Sequence, residues 1–68
     1  MSDKVQVLEV KEYRDDEGTL VQRIVFDVNG HDVQLVRLDH SEDLIVKVDS
    51  AVRELPVDRV DTFIRNRT

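Results

Sequence analysis

The stretch that decides the fold is residues 20–39, LVQRIVFDVNGHDVQLVRLD. Two runs rich in β-branched and other apolar residues flank Asn29-Gly30, and such runs favour β-strands. Both central positions of a tight type I′ turn need a positive φ, which Asn and Gly tolerate. The stretch therefore predicts a β-hairpin whose strands span residues 20–28 and 31–39.

Similar apolar runs lie on both sides of this hairpin. Residues 4–13 and residues 44–49 each predict a further strand, because both are rich in Val, Leu and Ile. The polar segments Arg14–Gly18 and His40–Asp43 predict the connecting loops. Strands joined by short loops are usually neighbours in space, so we expect an antiparallel meander.

The last part of the chain has a helical pattern instead. Its apolar residues recur with helical spacing and are Val57, Val60, Phe63 and Ile64. Pro56 precedes them, as is common at the start of a helix, so we expect a helix over residues 57–66. For residues 50–55 the sequence leaves two alternatives, a helical turn capped by Ser50 or a loop. The fold predicted for the single domain, residues 1–68, is α+β: a four-stranded antiparallel β-meander with one C-terminal α-helix packed on one face.

The composition excludes several classes of protein. The chain has 68 residues, no Cys and a formal net charge of −5. Without Cys there is no disulfide framework and no thiolate metal site, and no apolar run reaches the roughly 20 residues of a membrane-spanning helix. An acidic surface repels phosphate backbones and favours basic partners. Because a basic-then-apolar leader is also missing, we expect a cytoplasmic protein.

Alternation along the strands sorts the side chains onto two faces of the sheet. The Asn-Gly turn places Phe26 opposite Val33, and the four-residue connection before residue 44 places Leu35 opposite Val48. The apolar side chains predicted on the first, buried face are Val5, Val7, Ile24, Phe26, Val28, Val33, Leu35, Val46 and Val48. The apolar side of the helix is the natural cover for this face.

The second face is also apolar, although a sheet covered on one side normally has a polar outer face. The residues predicted to bind a partner there are Leu8, Val10, Val21, Val25, Val36, Leu38 and Ile45. An apolar area on the order of a few hundred Å² left in water forfeits several kcal/mol. A strongly curled sheet, a two-fold homodimer or a different bound protein would each bury it. Bulges near Val7-Leu8 and Leu35-Val36, where the alternation changes phase, would help the sheet to curl.

Nothing in the sequence supports catalysis or a metal site. His31 and His40 lie at opposite ends of one predicted strand, roughly 30 Å apart, so one ion cannot bind both. Zinc needs three or four converging ligands. Ser2, Ser41 and Ser50 lack the glycine-flanked turn of a nucleophile elbow. We therefore expect a non-enzymatic protein that needs no metal, cofactor or small-molecule substrate.

The predicted function is a small acidic protein-interaction module, an inhibitor or an adaptor, that acts through an apolar sheet face or an edge strand and forms a homodimer. An antagonist of a host complex, of the kind that phages carry, is one form of such a module. The acidic side chains predicted to face a basic partner are Asp15, Asp16, Glu17, Glu42 and Asp43.

Two alternatives stay open. The C-terminal helix is the basic region of the chain, and Arg59, Arg65 and Arg67 would be the residues that bind nucleic acid. The overall negative charge and the scarcity of aromatic side chains for base stacking disfavour this alternative. The second alternative is that the chain is a small structural subunit of a larger assembly.

Overall fold

The computed structural model describes residues 4–68 and shows an antiparallel sheet followed by one helix. The sheet has five strands, which neighbour one another in chain order. The elements are β1 (Val5–Arg14), β2 (Leu20–Val28), β3 (His31–Leu38), β4 (Asp43–Val48), β5 (Ala51–Pro56) and α1 (Val57–Arg65). The predicted α+β class and the antiparallel meander with a C-terminal helix are confirmed, but the prediction of four strands is wrong.

The strand missing from the prediction is β5, which occupies the residues left open between a helical turn and a loop. A tight turn at Asp49-Ser50 connects it to β4 and places Val48 opposite Ala51. Asp49 has a φ of 52°, a left-handed conformation that Asp adopts more readily than most residues. Its carboxylate accepts a hydrogen bond from the N–H of Asp32 at 3.2 Å. The chain therefore turns back as a second tight hairpin and does not enter a helix at Ser50.

The predicted turn at Asn29-Gly30 is confirmed. The two residues have φ values of 54° and 88°, and the hairpin register places Phe26 opposite Val33. The N–H of Asn29 also donates to the carbonyl of Lys4 at 2.9 Å. The turn therefore fixes the register of β2 with β3 and also holds the chain that enters β1.

A β-bulge lies in β1 between Val7 and Glu9, where the register with β2 shifts. This is one of the two positions at which a bulge was predicted. Because side chains alternate with a period of two, the extra residue moves Val10 to the face that carries Ile24, its partner on β2. The prediction that Val10 lies on the second face is therefore wrong.

The pairing of β3 with β4 differs from the prediction by two residues. Leu35 lies opposite Val46, and Val48 lies opposite Val33. An even shift leaves each side chain on its predicted face. The register is continuous through Val36, so the second predicted bulge is not found.

The core lies between α1 and the middle of the sheet. Val33 and Val46 have no exposed surface, and Val60 on the helix packs against them. The partly buried side chains around this cluster are Phe26, Leu35, Leu44, Leu55, Phe63 and Ile64. The prediction that Val57 belongs to the buried side of the helix is wrong, because it is 65% exposed at the first helical position.

Candidate functional site

Helix α1 covers only part of the sheet. Its nine residues span about 14 Å, whereas the molecule is 42 Å long. The strands that it mainly contacts are β4 and β5. The part of the same face that β1 and the middle of β2 form is therefore left largely open.

Most of the exposed aliphatic side chains lie on β1 and on the neighbouring part of β2. We call the following set the β1 patch: Val5, Val7, Leu8, Val10 and Ile24. Their exposed fractions run from 39% for Ile24 to 70% for Val10. Val5, Val7 and Ile24 were predicted to be buried, and this is wrong because the nine-residue helix packs mainly on β4 and β5 and leaves these three side chains exposed.

Strand β1 is also an edge of the sheet. All ten of its residues are exposed, and it contains no Pro or Gly. The other edge, β5, has six residues and ends at Pro56; shortness and proline both protect an edge from pairing with another chain. Strand β1 lacks these two protections and presents backbone N–H and C=O groups along its outer side.

The charges on β1 balance one another. Glu9 lies 3.9 Å from the Lys11 ammonium and 3.4 Å from the Arg23 guanidinium on β2. The carboxylate of Glu12 accepts a hydrogen bond from Gln22 at 3.0 Å. With Arg14 the strand has two basic and two acidic side chains. Strand β1 is therefore a neutral segment of a chain whose net charge is −5.

A shallow groove extends the β1 patch toward the centre of the sheet. It has a volume of about 320 Å³, and its apolar lining runs from Val10 and Ile24 to Leu35 and Leu44. The groove therefore continues the exposed apolar surface from β1 to the middle of the sheet.

The second face brings together five of the seven residues predicted to bind a partner. These are Val21, Val25, Val36, Leu38 and Ile45. Val36 lies opposite Ile45; Val21 is buried and the other four are half-buried. Of the remaining two, Leu8 lies at the bulge and is 56% exposed, and Val10 lies on the helix-bearing face. The second face therefore exposes less of each aliphatic side chain than the β1 patch does.

The predicted acidic residues lie at one end of the sheet, in the β1–β2 connection and around the β3–β4 connection. Asp15 caps its own turn, because its Oδ1 accepts the N–H groups of Glu17 and Thr19, both at 2.9 Å. Ser41 likewise stabilises its own turn, because its Oγ accepts a hydrogen bond from the N–H of Asp43 at 3.2 Å. The same end has an open groove of about 520 Å³ with His40 beside Ser41. The Ser41 hydroxyl is thus used by the backbone.

The arginines of the alternative nucleic-acid site all lie at or just beyond α1. The Nε of Arg65 donates to Asp61 at 2.9 Å. The guanidinium of Arg67 lies 4.1 Å from the centroid of the Phe63 ring, a cation–π contact. Arg59 is exposed. Each of the three guanidinium groups therefore has different surroundings, and the structure does not show them arranged around a common site for a phosphate group.

His31 has a partner near the opposite end of the sheet. Its Nδ1 lies 2.8 Å from Oδ2 of Asp49. This hydrogen bond lowers the pKa of Asp49 below 3.8, and the N–H of Asp32 lowers it further. Among residues 4–68, no group of three or more His, Asp or Glu side chains is arranged to hold a metal ion.

The lowered pKa of Asp49 predicts an acid-dependent loss of stability. Ionised Asp49 stabilises the fold above its unfolded pKa of 3.8, and this contribution is lost as the pH falls through the lower pKa of the folded state. Asp49→Asn keeps a residue that tolerates the positive φ but removes the titration. Urea unfolding should therefore show the wild type more stable than Asp49→Asn at about pH 6, with a difference that shrinks in acid. An equal difference at both pH values would contradict this prediction.

Comparison of the chain with known protein families, with curated proteins and with solved structures gives no match. In the described part of the chain, no helix combines the length and the apolar character needed to cross a bilayer.

Proposed function

We propose that this protein is a non-enzymatic interaction module, an inhibitor or an adaptor, that binds another polypeptide through β1 and the β1 patch. The observation that carries the proposal is a ten-residue edge strand on which four aliphatic side chains are 56–70% exposed. A long, exposed edge strand with unpaired backbone groups is a template for pairing with another chain. The binding that we propose is therefore the addition of an extended strand to the edge of the sheet.

Two kinds of contact would act together at this edge. Backbone hydrogen bonds to the outer side of β1 supply affinity whatever the sequence of the added strand. Specificity comes from side chains that alternate along that strand. On the helix-bearing face, Val7, Val10 and Ile24 would contact apolar side chains of the bound polypeptide, and the groove toward Leu35 would receive a longer one.

The charge of the molecule supports a polypeptide ligand rather than a phosphate-bearing one. The acidic net charge repels phosphate groups. Strand β1 is neutral, so its backbone can approach an extended segment without a charged barrier. The acidic loop residues at the end of the sheet would favour a ligand with basic side chains next to the paired strand.

The half-buried aliphatic residues of the second face are proposed as a secondary contact surface. Residues such as Val25 and Val36 lie one strand or more inward from β1. A partner large enough to wrap around the edge would reach them. Their smaller exposure means that they contribute less apolar area per residue than the β1 patch.

Val10→Lys tests the proposal, because a charged side chain at the centre of the β1 patch opposes strand addition. The immobilised wild type should retain polypeptides, including any free copies of itself, from an extract of its native cells. We expect Val10→Lys to retain at least about tenfold less, which corresponds to about 1.4 kcal/mol of binding free energy. The bound polypeptides are identified and quantified by mass spectrometry.

Val52→Lys is the matched control. Val52 is a half-exposed valine, at 50%, on the other edge strand, so the substitution adds the same charge outside the β1 patch. Val52 shares the face of Val25 but lies four strands away from β1, so we expect the variant to retain nearly all that the wild type retains. Equal loss in both variants, or full retention by Val10→Lys, would rule out β1 as the binding site.

A further inference from the structure

We infer that the polypeptide that pairs with β1 is a second copy of this chain, joined edge to edge in an antiparallel, two-fold pair centred on Val10. The inference rests on the proposed function, because it names the occupant of the β1 patch. Two five-stranded sheets would form one continuous sheet, and the exposed β1 edge of each copy would be paired.

Symmetry limits how two copies of β1 can pair. A two-fold axis normal to the sheet keeps the helix-bearing faces of both copies on one side. Residues that lie opposite each other must then share a face, as in any antiparallel pair. After the bulge, Val10 and Glu12 lie on the helix-bearing face, and Glu9, Lys11 and Tyr13 on the other. In this regular part of β1 the axis must therefore pass through a residue and not between two.

Charge selects Val10 as that residue. With the axis at Val10, Glu9 of each copy lies opposite Lys11 of the other, so two cross-strand pairs of opposite charge form. Glu9 and Lys11 already lie on one side of the strand, with Nζ and Oε1 3.9 Å apart. An axis at any of the four charged residues would instead place that residue opposite its own charge, which is destabilising; these are Glu9, Lys11, Glu12 and Arg14.

The extent of pairing separates Val10 from the remaining centre, Tyr13. An axis at Tyr13 would pair only the last few residues of β1 and leave the β1 patch in water. Val10 is near the middle of Val5–Arg14, so an axis there brings most of the strand alongside the second copy, with the bulge of each strand beside Glu12 of the other. It also places Val10 opposite Val10 of the second copy. Within each copy, Ile24 is the neighbour of Val10 on β2, and Val7 lies on the same face of β1. The register that satisfies the charges therefore also places Val10, the most exposed residue of the β1 patch, against an aliphatic side chain of the second copy.

The acidic net charge permits this contact. Two copies at −5 each repel at long range, but salt limits that repulsion to about 8 Å at physiological ionic strength. Because β1 carries no net charge, it is a surface along which two copies can meet without opposing like charges. The acidic connections at the end of the sheet stay outside the pairing centred on Val10.

Cysteine cross-linking tests the register, since the chain contains no Cys. In Val10→Cys the two thiols would face each other across the axis, with Cα atoms about 4.5–5.5 Å apart, within the range of a disulfide. Mild oxidation should therefore link most of the protein into dimers. Glu12→Cys is the matched control: it is exposed on the same face, but the two residues lie about 14 Å apart along the strands and should stay unlinked.

A charge swap tests the pairing without a covalent bond. Lys11→Glu places Glu opposite Glu9 of the second copy, and we expect dimerisation in sedimentation equilibrium to weaken by about tenfold or more. The single chain should stay folded, because Arg23 lies opposite residue 11 on β2. The double variant Glu9→Lys with Lys11→Glu restores opposite charges across the axis and should recover the wild-type dimer.

Three outcomes would overturn the inference. A wild-type mass of one chain at about 1 mM protein would exclude a second copy as the occupant. Cross-linking of Glu12→Cys as fast as Val10→Cys would exclude the register centred on Val10. Unchanged dimerisation of Lys11→Glu would exclude the charge pairing. If the wild type is monomeric and Val10→Lys still loses other bound polypeptides, the second copy is excluded while the proposed function stands.

Discussion

Val33→Asp is expected to abolish folding of this protein. Val33 has no exposed surface and lies on the central strand β3, between Phe26 on β2 and Val48 on β4. A carboxylate there has no basic partner and must either be buried or force the sheet apart, which costs at least about 4 kcal/mol. A domain of this size has about 3–10 kcal/mol of stability in total. Far-UV circular dichroism and urea unfolding should therefore show a largely unfolded chain at neutral pH.

Val7→Asp is the matched control for this result. Val7 lies on the same face and is the other cross-strand neighbour of Phe26, but it is 61% exposed. The same substitution there should change the free energy of unfolding of dilute protein by less than about 1 kcal/mol. A folded Val33→Asp variant, or an unfolded Val7→Asp variant, would show that the core does not lie where the structure places it.

Val60→Asp is expected to detach α1 and destabilise the sheet beneath it. Val60 is the buried residue of the helix, and it packs on Val33 and Val46. A nine-residue helix without tertiary contacts is unstable in water, because helices shorter than about 12 residues are marginal on their own. The helix should therefore unfold rather than move away intact. The loss of core burial should cost about 3 kcal/mol or more.

Thr62→Asp distinguishes the loss of packing from the added charge. Thr62 is exposed on the same helix, so the substitution adds the same charge at a position in contact with water. We expect its helical signal and its unfolding midpoint to stay near those of the wild type. Hydrogen exchange should show faster exchange at the amides of β4 in Val60→Asp only. Protection of these amides that is equal in both variants would contradict the role given to Val60.

Several parts of the fold could be predicted because their signals are local. Asn29-Gly30 needs only its own backbone conformation to form a tight turn, and this turn sets the register of β2 with β3. The helix could be predicted from the spacing of Val60, Phe63 and Ile64. The ion pair between Asp61 and Arg65, 2.9 Å long, follows from their separation by four residues.

The fifth strand could not be predicted with the same certainty, because its turn has a weaker signal. Asp49 tolerates a positive φ less well than Asn or Gly, and the turn gains stability from the hydrogen bonds of Asp49 with His31 and Asp32. Those partners are 17 and 18 residues away in the chain. Local sequence therefore left residues 50–55 open, although Asp49-Ser50 between two apolar runs was the signal that would have found β5.

The candidate site depended still more on tertiary structure. Sequence alternation placed Val5 and Val7 on the face that the helix covers, but it could not show that the helix packs mainly on β4 and β5 and leaves both side chains exposed. The fifth strand is the physical reason. It extends the sheet beyond β4 and attaches α1 at that side, so β1 becomes the distant, uncovered edge.

The sequence by itself determined the class of the fold, the central hairpin and the presence of more apolar side chains than one short helix can cover. These follow from backbone preferences and from side-chain periodicity, which act over a few residues. Only the tertiary structure decided which of those side chains stay in water. The bulge before Glu9 turned Val10 to the helix-bearing face, and the position of α1 left β1 open, because burial depends on contacts between residues that are far apart in the chain.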